Sequence, residues 1–431
     1  MVEARSWLDS TKKRGMSLGL KSTKTVLDRL QLNLPSHIIH VAGSNGKGTV
    51  CALMAVALSL SGIENVLFTS PHVARIEERI RKNGTPLSSQ EFDNALEQIY
   101  HAAIGDNFNP PIELTFFEVS YLVSMIASVG SEVLILETGL GGRLDATRSG
   151  PATASLVTSI SREHIDILGP NIATIAQEKA AIARPDCPIV IRDPEDHDVR
   201  QAMLTEVLNA GNEALNETPA PAKAYFVTIP IDVTVREEAG LLAHALFDSI
   251  GFATDTIEQA KQILRWPARM QPLTKLETST HPYLLDAAHN PSGMRRIIPE
   301  LERYISRHAP QKNGQPVWTL LFGTSPQQNL IEFLSPLHDL CRRIPPRHTL
   351  LTQPHGGRYP GVAIETLLGQ NWSSATPLGV ASASEAVETL STYSEDEVGL
   401  VVSLGSLYLQ GNLLDVFDWA SDENLSLFAK H

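Results

Sequence analysis

The sequence predicts an α/β protein of two domains, each built on a mostly parallel sheet. Three observations carry this reading. Short apolar runs alternate with helical stretches along most of the 431 residues. A glycine-rich turn at 43–49 separates an apolar run, His37–Ala42, from an Ala/Leu/Val-rich stretch, Val50–Leu60. A polar stretch near Trp266–Thr280 interrupts the alternation as a candidate linker, after which the pattern resumes. The length fits two or three domains at about 150 residues each.

Taken in order, His37–Ala42 and Asn65–Thr69 read as strands, with Val50–Leu60 as the buried helix between them. Arg79–Thr85 carries Asn83-Gly84, a hairpin-turn pair. Ser88 with Glu91 forms a capping box that opens a helix through Tyr100. Glu132–Glu137 is an apolar run of the buried parallel type, and Ala154–Ile160 and Pro188–Ile191 are further strands. Asn171 caps a helix that ends before Pro185. Asp193–Lys223 is polar and proline-containing, read as loop and helix without a fixed order. Beyond the linker, Tyr283–Asp286, Val317–Phe322, Thr349–Thr352 and Leu400–Leu404 are strands separated by helical sequence. No internal repeat is present, and the longest biased tract is the Pro/Ala run near Thr218–Ala224.

Composition narrows the function classes. A hydrophobic content of 42% with mean hydropathy of −0.06 describes an ordinary globular protein. No apolar run reaches the length of a membrane span. The start, MVEARSWLDSTKKRG, lacks the apolar core of a secretory signal. Cys51, Cys187 and Cys341 have no metal-ligand spacing and read as reduced thiols, so a cytoplasmic protein is expected. A formal charge of −13 argues against nucleic acid as main partner. It leaves anionic small ligands open, since local cations and metal ions hold those.

The chemistry is concentrated in a few segments. In Ser44-Asn45-Gly46-Lys47-Gly48-Thr49, backbone N–H groups and a helix N-terminus can cradle phosphate, and Lys47 adds a point charge. The usual phosphate loop places Ser or Thr directly after the Lys, to reach Mg²⁺. Here Gly48 intervenes, so at least one metal ligand is expected elsewhere. Ser70, in FTSPHVARIEERI, can offer a hydroxyl to metal or phosphate, with Arg75 and Arg79 as neutralising cations. The same segment also reads as a polar loop with surface arginines. Glu137 ends an apolar strand before a glycine-rich loop, where ligands of open α/β sheets bind and a carboxylate suits Mg²⁺. A satisfied structural Glu is the plainer reading. His164, beyond another strand end, is a ligand or a structural histidine. Lys179 lies among small apolar residues of a helix. It is a snorkelling surface residue or a partly buried amine able to form a carbamate with CO₂. Asp286 and His289, in LLDAAHNP, are nucleotide contacts or a strand–turn–helix corner.

As an ordered set, these segments resemble the folylpolyglutamate synthase/dihydrofolate synthase family of Mur-type ligases. The matches are GSNGKGT (43–49), SPHVARIEERI (70–80), LTFFE (114–118), ETGLGGRLDAT (137–147), EHIDILG (163–169), IAQEKAAI (175–182), DAAHNP (286–291) and GSLYLQGNLL (405–414). The resemblance implies a phosphate-loop ATP-binding domain over 1–276 and a smaller Rossmann-like glutamate-ligase domain over 277–431. It implies ATP and two Mg²⁺ ions as cofactors. Its substrates are a pterin-bearing acid and L-glutamate, joined through an acyl phosphate by a monomer. On this reading Lys47 and Thr49 hold phosphates. Ser70, Glu137 and His164 match metal ligands, and Lys179 matches a carbamylated lysine supporting a second ion. Arg269, Asp286 and His289 match residues at the ATP side. Arg79, Thr115, Phe116 and Phe117 border the pterin.

The chain also departs from the family pattern. The Gly-x-His-Gln-x-x-Asn element expected near adenine is missing from 227–247. Ala268 and Ala287 stand where glycines are expected, Glu163 precedes His164 where the family tends to have Asp, and GTSPQQN (323–329) replaces an Asp-Lys-Asp-like stretch. Two alternatives therefore stand beside the folate-pathway ligase: a Mur-type ligase acting on a different carboxylic acid, and a nucleotide-binding relative without ligase activity.

Overall fold

The computed structural model describes every residue except 1, 16–17, 106–109, 211–220, 275, 358, 373–375 and 430–431. Part of the Pro/Ala run near 218–224 therefore lies outside the described residues. The chain divides into two units, Met1–Leu264 with Ser426–His431, and Arg265–Leu425. The division falls earlier than 276/277 because Gln271–Leu273, inside the expected linker, is a strand of the second sheet. The C-terminal residues return to the first unit, where the Leu427 N–H donates to the Gly84 carbonyl.

The first unit holds β1 (His37–Ala42), β2 (Asn65–Phe68), β3 (Ile80–Lys82), β4 (Thr85–Pro86), β5 (Val133–Glu137), β6 (Ala154–Val157), β7 (Pro188–Arg192) and β8 (Lys223–Val227). They form one sheet in the order β4-β3-β2-β5-β1-β6-β7-β8. Neighbours from β2 through β8 are parallel, and β3 and β4 turn back antiparallel. The β3–β4 turn places Asn83 at φ 50° and Gly84 at φ 79°, the positive pair that an Asn-Gly hairpin turn requires. The central strands β1 and β5 are covered on both faces, which is why they read as continuous apolar runs.

Ten α-helices surround this sheet among the described residues: α1 (Val2–Thr11), α2 (Lys21–Leu30), α3 (Lys47–Leu60), α4 (Ser89–Ile104), α5 (Phe116–Ala127), α6 (Ile165–Leu168), α7 (Ile172–Ala180), α8 (His197–Asn209), α9 (Val235–Ile250) and α10 (Ile257–Ile263). Helix α3 is buried from Thr49 to Leu58 and packs against β2, β5, α9 and α10, so it needs apolar residues all round. It begins at Lys47 itself, which puts the lysine at the helix N-terminus. The polar stretch before β8 folds in part as α8, capped by the Asp196 carboxylate, which accepts the Asp198 and Val199 N–H groups. The expected capping box at Ser88/Glu91 opens α4, and a second at Thr115/Glu118 opens α5.

In the second unit, β9 (Gln271–Leu273) and β10 (Tyr283–Leu285) precede a small hairpin, β11 (Gln311–Lys312) and β12 (Gln315–Pro316). β13 (Trp318–Phe322), β14 (His348–Leu351), β15 (Leu378–Gly379) and β16 (Leu400–Leu404) follow. The main sheet runs β15-β14-β13-β16-β10-β9, parallel except for β9. Helices α11 (Pro291–His308) and α12 (Leu330–Arg343) pack side by side. Asn290 caps α11, its side chain accepting the Gly293 N–H at 2.7 Å, with Pro291 in the first turn. Both units thus have the expected α/β architecture.

The Thr115/Glu118 box does more than cap α5. Glu118 is buried, and it accepts the Thr115 N–H at 2.7 Å, the Thr115 hydroxyl at 2.8 Å and the Thr23 hydroxyl of α2 at 2.9 Å. Glu118→Ala leaves these donors buried without an acceptor. The expected loss is about 3 kcal/mol of unfolding free energy, read from urea denaturation. A loss under about 0.5 kcal/mol would show that the α2–α5 link is dispensable.

Candidate active site

The 43–49 turn joins β1 to α3 and is fastened to the segment after β6. The Ser44 N–H donates to the Ser159 carbonyl at 2.7 Å, and its hydroxyl accepts the Ser161 N–H at 3.0 Å. The Thr158 hydroxyl donates to the Asn45 carbonyl at 2.8 Å. Gly43, at φ 140°, lies so close to Thr158 that a Cβ would come within 1.9 Å of its oxygen. Gly46 is the N-cap of α3 at φ 88°, with open space where a Cβ would stand. The turn therefore offers an unobstructed helix N-terminus to an anion. Lys47 Nζ folds back onto the Gly43 and Ser44 carbonyls at 2.9 and 3.2 Å. Thr49 is buried within the first turn of the helix, and Gly48 separates it from Lys47.

Glu137 stands at the carboxyl end of β5 and is buried. Its Oε2 accepts the Ser70 N–H at 3.0 Å, so the segment after β2 meets the end of the neighbouring strand. Among the described residues, no three His, Cys, Asp or Glu side chains converge on one point. Glu137 is the carboxylate that stands at this strand end, with the Ser70 backbone against it. A strand-end carboxylate suits a hard ion such as Mg²⁺, which commonly takes one or two protein carboxylates and completes its shell with other oxygen donors, water and substrate phosphates.

Two buried carboxylates shape the loops that carry these residues. Glu78 accepts the N–H groups of Val73, Ala74 and Arg75 at 2.8, 3.1 and 3.2 Å, winding the segment after Ser70 around itself. Asp145 accepts those of Gly139 and Leu140 at 2.9 and 2.8 Å and of Thr147 at 3.0 Å, fixing the loop after Glu137. Burial raises the Asp145 pKa, and these hydrogen bonds oppose the rise.

Lys179 lies in the last turn of α7 and is 1% exposed. Its Nζ donates to the Gly43 carbonyl at 2.9 Å and to Glu163 Oε1 at 2.6 Å. Burial lowers its pKa; Glu163 pulls it back up, and Lys47 lowers it further. Burial pushes Glu163 upward, but Lys179 and Lys47 outweigh it, so this carboxyl titrates below the usual range. His164 caps α6 in the left-handed conformation at φ 48°. Desolvation and the charges of Lys179 and Lys47 lower its pKa against the pull of Glu163. Lys47, Glu163, His164 and Lys179 thus form one electrostatic cluster. Glu137 pairs in register with Val41, two residues before Gly43, and burial raises the pKa of the Cys51 thiol, with Glu137 adding to the rise and Lys47 opposing it.

Thr115 caps α5, and Phe116 and Phe117 are its first residues. The Phe117 ring lies 5.7 Å from that of Phe68, and a Cβ on Gly139 would come within 2.6 Å of it. The Arg79 guanidinium lies 5.0 Å from the Phe116 ring centre. The structure therefore brings Arg79, Phe116 and Phe117 to the loops that hold Ser70 and Glu137.

Glu78 and Asp145 were not singled out from the sequence, and Glu163 was noted only as a departure from the family pattern. Asp145 carried a usable signal, an Asx-turn pattern with Thr147 two residues on. Glu163 and Glu78 carried none, because their partners are a distant lysine and loop amides.

In place of the missing adenine-side element, 227–247 provides the start of α9, and Glu238 there is paired with Arg192 of β7 at 2.9 Å. In the second unit, Asp286 follows β10 and is buried. It accepts the Met270 and Ala288 N–H groups, each at 2.9 Å. Burial raises its pKa to about 6, against the lowering effect of Arg269. His289 is exposed, its Nδ1 within 2.9 Å of the Ala287 carbonyl. Gln327, from the GTSPQQN stretch, donates to the His289 carbonyl at 3.1 Å. Removing the Arg269 cation leaves burial less opposed. In Arg269→Met, the Asp286 carboxyl is expected to titrate above its wild-type midpoint, followed by its ¹³Cγ shift. An unchanged midpoint would mean that Arg269 does not act on this carboxylate.

Comparison with known proteins places this geometry. No family model matches the chain. Dihydrofolate synthase/folylpolyglutamate synthase of Haemophilus influenzae is 36% identical over 209 residues, 48% of this chain and 46% of that protein. The protein of the same name from Bacillus subtilis is 29% identical over 330 residues, 70% of this chain and 76% of that protein. The chain thus spans about half the length of the first relative and more of the second. Among solved structures, E. coli FolC in complex with DHPP and ADP superposes with a TM-score of 0.75 at 25% identity, covering 96% of this chain and 97% of that one. A bifunctional folylpolyglutamate synthase/dihydrofolate synthase with Mn, AMPPNP and L-glutamate bound gives 0.76 at 24% identity, covering 96% and 98%. The chain is thus similar in sequence to dihydrofolate synthase/folylpolyglutamate synthases over part of their length, and in fold to solved structures of that name over nearly all of it.

Proposed function

We propose that this protein is an ATP-dependent ligase that joins L-glutamate to the carboxylate of a pterin-bearing acid, working as a cytoplasmic monomer. The convergence of Lys47, Glu137, Glu163, His164 and Lys179 around one open phosphate turn carries this reading. An oxygen of the acid's carboxylate attacks the γ-phosphorus of ATP, the bond to the β–γ bridging oxygen breaks, and ADP leaves. The amine of glutamate then attacks the acyl phosphate carbon, phosphate departs, and the amine proton passes to solvent. Both steps bring anions together, so positioning and charge neutralisation matter more than covalent catalysis.

The residues divide this work. The N–H groups of 44–48 and Lys47 take the phosphates, which requires Lys47 to exchange its loop carbonyls for phosphate oxygens. Ser70, Glu137 and His164 would hold the metal, which would supply Lewis-acid neutralisation when bound. The depressed pKa of Lys179 favours its free amine, the form that reacts with CO₂ and loses a proton to become a carbamate. A carbamate here would turn a cation into an anionic ligand for a second ion. Arg269, Asp286 and His289 are assigned to the nucleotide, and Arg79, Thr115, Phe116 and Phe117 to the border of the pterin.

The first test is ATP turnover with Mg²⁺ and glutamate, adding dihydropteroate or tetrahydrofolate in turn. ADP formation that depends on either acid is expected; none with both at saturation would sink the proposal. Lys179→Ala is expected to lower turnover by about 10³-fold or more, with no rescue by bicarbonate. With ¹³C-bicarbonate, the wild-type protein should show a carbamate carbon signal that the variant lacks. Wild-type turnover in the variant, or no such signal from the wild type, would remove the carbamate.

A further inference from the structure

Helix α7 ends at Ala180, one residue beyond Lys179. The last carbonyls of a helix have no partner within it. Here the segment after Glu137 supplies donors. The Arg143 N–H donates to the Glu178 carbonyl at 3.0 Å, and Arg148 Nε donates to the Ala181 carbonyl at 2.7 Å. Gly142 lies so close that a Cβ would come within 2.5 Å of the Glu178 carbonyl oxygen and 3.0 Å of that of Lys179. Both are main-chain atoms, so the approach requires glycine.

Arg143 adds a fork to this contact. Its Nε donates to Glu178 Oε1 at 2.8 Å, and its Nη2 pairs with Glu206 Oε1 of α8 at 2.9 Å. The residue before Lys179 is thus gripped through main chain and side chain, and braced against α8. A guanidinium is planar and rigid, so two carboxylates on different helices fix it as they could not fix an ammonium. The near end of the same loop is also fastened. The Thr138 N–H donates to the Val41 carbonyl at 2.9 Å, and Asp145 holds the Gly139 and Leu140 N–H groups. The fork adds little to stability, since the side chains of Arg143, Glu178 and Glu206 are 36%, 26% and 13% exposed. What it sets is the last turn of α7, from which Lys179 Nζ reaches the Gly43 carbonyl and Glu163.

We propose that Arg143 is the positioning residue for Lys179, holding its side-chain nitrogen against the phosphate turn and out of solvent. The consequence for turnover rests on the ligase reading above. A displaced Lys179 no longer meets the phosphate turn at its set distance, and groups that orient a site from behind typically matter by 10–100-fold when removed. Binding of ATP and of the acid does not pass through Arg143, so the loss falls on the chemical step.

The test compares the wild type with Arg143→Met and Glu178→Gln by kinetics and by trace acetylation with acetic anhydride. Label at Lys179, 1% exposed, is read against Lys223, whose side chain is 59% exposed. In Arg143→Met, kcat is expected to fall by about 10- to 100-fold while KM for ATP and the acid stays within about twofold. The Lys179 to Lys223 label ratio should rise by about tenfold as the last turn opens locally. The melting temperature should stay within about 4 °C of the wild type. Glu178→Gln keeps the main-chain bond and should move kcat and label in the same direction by less. It carries the test if Arg143→Met does not fold. An unchanged label ratio, or a loss confined to KM, overturns the positioning role and leaves the ligase reading intact. A wild type without turnover overturns the ligase reading, while the label ratio still decides whether Arg143 holds Lys179.

Discussion

The buried ammonium of Lys179 is the contact on which the first unit's site depends. It joins the Gly43 carbonyl of the phosphate turn to Glu163 in the segment after β6, and does so from α7. A buried charge without a partner is costly, so these three elements are held to one arrangement wherever the lysine is charged. The Ser44, Asn45 and Thr158 hydrogen bonds then fasten the same two segments a second time. The pair is poor evidence for stability, since an apolar replacement of similar volume can be equally stable. Its value lies in geometry: it fixes a lysine of depressed pKa beside the turn where phosphate is expected.

The loops around that contact follow a second rule. Segments without helix or strand partners must still satisfy their N–H groups, and here buried carboxylates do it. Glu78 takes three amides of the segment after Ser70, Asp145 those of the loop after Glu137, and Asp286 those of Met270 and Ala288. A carboxylate offers about four lone-pair sites and so gathers several donors at one point. Loops that lack regular structure are thereby held in one conformation and can present Ser70 and Glu137 in fixed positions.

What was legible in the sequence follows from range. Parallel strands buried on both faces announce themselves as apolar runs, and capping boxes couple residues three apart, so β1, β5, α4 and α7 were readable. The phosphate turn was readable because its glycines and lysine are contiguous. β8 and β9 were not, because edge strands carry mixed, half-exposed residues, as the pattern along Lys223–Val227 shows. The Lys179–Glu163 pair spans 16 positions and the Thr23–Glu118 bond 95, and no local period reports either. The return of the C-terminal residues to Gly84 was hidden for the same reason.

The departures in the second unit can be weighed in the same terms. The family pattern has glycine where this chain has Ala268 and Ala287. Ala268 sits at φ 56°, a left-handed conformation that costs an alanine roughly 1–2 kcal/mol, whereas Ala287 has no positive φ and bears no such cost. Ala268 keeps that conformation because both of its backbone groups are engaged. Its N–H donates to Gln271 Oε1 at 2.8 Å, and its carbonyl accepts the Ala287 N–H at 2.9 Å. The following turn delivers the Met270 N–H to Asp286, while Gln410 donates to the Asp286 carbonyl at 3.1 Å. The backbone path around Asp286 is thus held without a glycine at either position, and it carries this carboxylate to where Arg269 lowers its pKa against burial.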